Sequence, residues 1–274
     1  MAFALPGTCR IQMKNAIDNM RKYTKLFISA LVVVIFFSLL IKSQVVDFRL
    51  HSDYISTVRQ INERDASLER NILLVRYGRL KYYDPINQDL KIIKDNTKRL
   101  AEIPKFVRPI DRLKLKQQLQ AYQQKIVQKE NEVEQFKTDS ATLKTSLAYF
   151  PNAANSLVKT SPQNTELVIR TNQLLQNILV YNISPDRNLL NQIQMQVAAL
   201  QQNRDRLTTP DNRPQFDNML AHARIILNNL PQVNRSIATI TTLSTMQAID
   251  AIGQTYTVAY QHTLKATSLY RFLL

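Results

Sequence analysis

The sequence predicts an all-α protein: tandem duplicated antiparallel helical bundles, elongated and membrane-proximal, preceded by a transmembrane helix. Three observations lead there. Only three glycines occur in 274 residues, against about 7% in average proteins, too few for the tight turns of a sheet protein. Apolar residues recur three, four or seven apart along most of the chain, the spacing of a buried helix face. Prolines interrupt that spacing at similar places in the two halves.

The first element is the run LFISALVVVIFFSLLI, Leu26 to Ile41, with no charge and bracketed by Lys25 and Lys42. Its length is about 24 Å as a helix, and snorkelling by the two lysines extends its reach across a bilayer. No small-residue cleavage site follows it, so residues 26–42 read as an uncleaved transmembrane anchor. Residues 1–25 form a leader with Arg10, Lys14, Arg21, Lys22 and Lys25 against Asp18. That excess of cations places the leader in the cytoplasm and the chain from about residue 43 outside. Cys9, the single cysteine, then lies on the reducing side, and the outer part has no disulfide framework.

Val46, Leu50, Tyr54, Val58, Ile61, Leu68, Ile72, Val75 and Leu80 predict a long helix from the bilayer to about Lys81. Asp84-Pro85 ends it and starts a second, because proline at the first helical position needs no amide hydrogen and aspartate is a strong N-cap. Ile86, Leu90, Ile93, Leu100 and Ile103 mark the inner face of that helix, closed by Pro104. A third starts at Arg108-Pro109, carries Leu113, Tyr122, Ile126, Val133, Phe136, Leu143 and Leu147, and runs to about Phe150.

The second half repeats this plan at an offset of 100 residues: Asp84-Pro85 falls on Ser184-Pro185, Leu74 on Leu174, Leu80 on Val180, Leu90 on Leu190, Ile93 on Ile193 and Leu100 on Leu200. Two modules follow, residues 43–155 and 156–269, with the boundary in FPNAANSLVKTSP. The last helix is expected from Pro214 to the end, through Pro231. Its ending, SLYRFLL, reads as the rim and first turn of a second span at residues 270–274.

The net charge of +15 is spread at helical spacing among acids, without a basic block, so nucleic acid is not an expected partner. Anionic headgroups or an anionic small ligand fit the charge better. No nucleophile elbow, phosphate loop, dinucleotide fingerprint or CxxC occurs, and no enzyme is visible in these residues. His51, His222 and His262 are isolated, so neither a metal nor another cofactor is expected; Glu130, Glu132 and Glu134 read as a solvated face.

The stretch RYGRLKYYDP, Arg76 to Pro85, concentrates tyrosines and cations at a helix junction. Arg76, Tyr77, Arg79 and Tyr83 are the candidate ligand-binding residues, able to offer a guanidinium fork and a phenol to an anion. Gly78, Asp84, Pro85, Ser184 and Pro185 are candidate turn residues, Gly78 as a point where two helices approach closely.

Arg76, Tyr77, Gly78, Leu80, Tyr83, Asp84 and Pro85, shortly after an N-terminal anchor, resemble the signature of the double all-helical ligand-binding (DAHL) sensor domain. The sequence departs from that pattern at Arg79 (aliphatic in the family), Tyr82 (Asn) and Ile86 (Leu). The resemblance implies a periplasmic sensing module between two spans of a bacterial sensor or hybrid histidine kinase. It is similar in plan to the helical input domains of nitrate and trimethylamine-oxide sensor kinases. A homodimer in the inner membrane is implied, with a small ligand or a periplasmic binding protein as its input. The alternatives are a single-span helical scaffold or envelope adaptor, and the sensor region of a chemoreceptor.

Overall fold

The computed structural model describes residue 20, residues 24–37 and residues 47–273, with side chains to residue 268. Residues 24–37 are helical (α1), and Leu26, Phe27, Ile28, Val34 and Phe37 on it are exposed. The expected anchor is described only in this part; residues 38–42, most of the leader and the side chains of 270–274 lie outside. No helix among the described residues is long and apolar enough to cross a membrane.

The rest is helical throughout: α2 Phe48–Arg76, α3 Asp84–Leu100, α4 Pro109–Thr160, α5 Thr165–Ile183, α6 Arg187–Gln202, α7 Arg204–Leu207, α8 Arg213–Thr242 and α9 Thr245–Leu273. The chain forms two compact units. One gathers Met1–Val58, Arg99–Leu119 and Asp250–Leu274; the other gathers Arg59–Lys98 and Gln120–Ile249. These units alternate along the chain.

In the first unit Tyr54, Val58, Phe106, Val107, Leu115, Leu119, Ile252, Tyr256 and Ala259 are buried. Gly253 is what brings two helices together there, since a Cβ on it would lie 3.1 Å from Val58 Cγ1. His51 stacks on Tyr260 with centroids 3.6 Å apart, and Tyr54 stacks on Tyr256 at 4.0 Å. Arg112 organises the α3–α4 turn by donating to the carbonyls of Pro104, Lys105 and Val107 at 3.3, 2.9 and 3.2 Å.

In the second unit the expected inner faces of α2, α3 and α4 are buried at Ile61, Leu68, Ile72, Val75, Ile86, Leu90, Ile93, Tyr122, Ile126, Val133, Phe136 and Leu143. Two expected inward residues of α2 and α4 are exposed instead: Leu50 and Leu113. Periodicity alone does not separate the edge of an apolar stripe from its centre.

Three helix ends differ from expectation for identifiable reasons. α2 stops at Arg76, short of the expected Lys81, because Gly78 turns the chain in a left-handed conformation. α4 continues through Pro151 to Thr160 because Phe150, Ala153, Ala154 and Leu157 extend its buried face across the proline. The expected last helix is divided into α8 and α9, since Leu243 is extended (φ −60°, ψ 111°). Ser244 and Thr245 there turn their hydroxyls to Lys125 and to Asp65.

Candidate functional site

The site begins at the end of α2. Gly78 has φ +70°, the left-handed conformation in which glycine alone carries no Cβ penalty. The Arg79 N–H donates to Leu74 O at 2.8 Å and the Gly78 N–H to Val75 O at 3.0 Å, the paired bonds of a Schellman ending. Nothing lies within 4 Å of a Cβ built on Gly78, so its role is this backbone turn and not a close helix approach.

Arg76 is the last residue of α2, half-buried, and held by amides alone. Its Nε donates to Asn234 Oδ1 at 3.3 Å, Nη1 to Asn182 Oδ1 at 3.4 Å and Nη2 to the Asn182 carbonyl at 3.1 Å. Asn182 sits at the end of α5, just before Ser184-Pro185, so this guanidinium ties together the two helix junctions that the sequence pairs at an offset of 100 residues. Its Cζ also lies 5.7 Å from the Tyr77 ring. Burial pushes the pKa of Arg76 down, opposed by the Tyr77 phenol.

Beside it lies a cleft of about 380 Å³, lined by Arg76, Tyr77, Gly78, Ser140, Lys144 and Asn182 together with the apolar Val75, Leu143, Leu147 and Ile183. The volume falls in the range of small-molecule sites. Two cations and no carboxylate line it, so the field inside favours an anion.

The other candidates fall elsewhere. The Tyr83 hydroxyl donates to Lys137 O at 3.2 Å and ties the α2–α3 turn to α4. Arg79 is exposed and contributes its backbone N–H to the turn, and neither residue lines the cleft. Asp84 and Pro85 open α3, with the acid in the first turn. At the later junction the roles shift: Ser184 closes α5, its N–H on Val180 O, and Asp186 caps α6 by accepting from the Leu189 N–H at 2.9 Å.

A second polar cluster was not legible in the sequence. Lys129, fully buried on α4, donates to Asp65 and Glu69 of α2 and to Thr245 at the start of α9, at 2.5, 3.0 and 3.1 Å. The Thr245 hydroxyl donates to the other Asp65 oxygen at 2.6 Å, which completes a closed network. Spacing gave no signal for it, nor for Lys144, Ser140, Asn182 and Asn234, because each reads as one polar residue on a long helix. Glu130 and Glu134 pair with Lys94 and Lys137. Among the described residues no cluster suits a metal ion, and the histidines sit apart: His262 beside Arg108, His222 beside Ser146 and Tyr149.

A family model, the DAHL domain, matches residues 46–271. The chain belongs to the DAHL-domain family. The match spans every helix from α2 to nearly the end of α9 and confirms the resemblance carried by Arg76 to Pro85. As a DAHL domain, this is a helical sensor domain of signalling proteins. Within it, Arg76, Tyr77 and Gly78 line the cleft, while Tyr83, Asp84 and Pro85 join Gly78 in building the turn beside it.

Proposed function

We propose that this DAHL domain is the extracytoplasmic input region of a membrane-bound signalling protein, a sensor or hybrid histidine kinase, and that it binds a small anion in the Arg76–Lys144 cleft. The observation that carries the reading is the charge of that cleft: a guanidinium held only by neutral amides faces a lysine, with no carboxylate in the lining. An anion entering there competes with Asn182 and Asn234 for the guanidinium, and so acts on the end of α2 and on the α5–α6 junction together. A ligand that prefers one packing by about 1.4 kcal/mol shifts the population tenfold.

The exposed apolar helix at residues 24–37 supports a membrane anchor ahead of α2. On this reading the domain is periplasmic in a bacterial inner membrane, works as a homodimer, and passes helix movement to a cytoplasmic output domain. The near-equal lengths of α3 and α6, 17 and 16 residues, support an ancestral duplication.

The test is thermal stability of the purified chain with phosphate, nitrate or succinate, beside Arg76→Ala and Lys144→Gln. Stabilisation by one anion, lost in both variants while they stay folded, supports the site; equal stabilisation of all three proteins by salt alone refutes it.

A further inference from the structure

The α3–α4 turn presents a surface unrelated to the Arg76 cleft. Between residues 101 and 117 stand five cations, Lys105, Arg108, Arg112, Lys114 and Lys116, against Glu102 and Asp111. Two are occupied: Arg112 holds the turn together, and Arg108 pairs with Asp111 at 2.7 Å. Lys105, Lys114 and Lys116 are exposed. Beside them Ile110 and Leu113 are 73% and 60% exposed, three residues apart on the first turns of α4, so they share one face with Lys114. An apolar pair ringed by lysines is the composition of an interfacial membrane contact.

Its position points the same way. Phe106 and Val107 are buried under the turn, Thr263 donates to Phe106 O at 3.2 Å, and Arg108 meets His262 at 2.7 Å. Tyr260 lies between Phe106 and His51, with centroids 6.0 and 3.6 Å away. The turn is therefore level with the first residues of α2 and with residues 260–263 of α9. Those segments lie close in sequence to the proposed anchor at 26–42 and to the SLYRFLL segment.

We infer that the α3–α4 turn is a third membrane contact, with Ile110 and Leu113 seated among the headgroups of anionic phospholipids and Lys105, Lys114 and Lys116 on their phosphates. This rests on the reading of residues 26–42 as an anchor. The contact fixes the first unit against the bilayer, so the ends of α2 and α9 keep a defined height there. A second copy of the chain is the competing occupant of the same face, but the three lysines would then meet their own counterparts.

The test uses the full chain with Cys9→Ser and Leu113→Cys, labelled with bimane and reconstituted into vesicles of phosphatidylcholine with or without phosphatidylglycerol. Headgroup spin labels on the lipid should quench the probe in the anionic vesicles. Quenching should weaken in phosphatidylcholine alone, and should be lost on Lys105, Lys114 and Lys116→Gln with the helical circular dichroism unchanged. A chain that floats with vesicles while the probe stays open to aqueous iodide overturns the contact and leaves the anchor standing. A chain that does not float overturns both. A probe shielded from iodide equally in detergent and in either lipid assigns the face to a second copy and overturns the lipid contact.

Discussion

Lys129 Nζ lies 2.5 Å from Asp65 Oδ1, with both side chains closed to solvent. Glu69 and Thr245 take the two remaining ammonium protons, so the network has no unmet donor on the lysine. Lys129→Met leaves Asp65 as a buried, unpaired carboxylate, and the expected loss is about 3–5 kcal/mol in urea unfolding. Asp65→Asn added to Lys129→Met should recover part of that loss. A single variant within about 0.5 kcal/mol of the parent would show that the charge is not confined by this pairing.

Gly78→Ala should cost about 1 kcal/mol, from the left-handed backbone alone, because the space around its Cβ is open. Gly78→Asn should cost less, since asparagine visits this region more readily. Equal, negligible effects in thermal unfolding would mean that the Schellman turn is free to rearrange.

Gly253→Ala should destabilise for a different reason, with Val58 having to give way. Combining it with Val58→Ala should relieve the strain, so the double variant should be more stable than the sum of the single effects implies. Simple additivity in a double-mutant cycle would contradict the contact.

Arg76→Lys keeps the charge of the cleft but gives up the fork that reaches Asn182 and Asn234 at once. Stability should fall by about 1 kcal/mol, with anion binding weakened but not abolished. Lys144→Gln should leave stability nearly unchanged and weaken the same binding, because Lys144 is exposed on α4. Calorimetric titration with the stabilising anion distinguishes the two.

His51 has its pKa lowered from 6.5 by burial against Tyr256 and Tyr260. The unfolded chain therefore takes up this proton first as pH falls. The contribution of His51 is complete above pH 6.5 and is lost as pH drops below it toward the folded-state value. His51→Phe should flatten the melting temperature between about pH 7 and pH 5; an unchanged slope would assign the pH dependence to other groups.

The sequence by itself determined the helical class, most of the inner faces of α2, α3 and α4, and the junction at Asp84-Pro85. Helix faces, caps and prolines act within a few residues of themselves, so their spacing is enough. It also picked out Arg76 and Tyr77, because a helix end crowded with cations and phenols stands out locally. Tertiary structure decided everything that needs two distant segments at one place. It separated Arg79 and Tyr83 from the cleft, supplied Lys144 and Asn182 to it, gave Gly253 the close-contact role expected of Gly78, and made Asp186, just past the Ser184-Pro185 turn, the N-cap of α6. It carried α4 past Pro151 on a continuing apolar face and broke the last helix at Leu243. The Lys129 network shows why such features escape a linear reading: Asp65, Lys129 and Thr245 become partners only when α2, α4 and α9 pack and exclude the water that would otherwise solvate each charge alone.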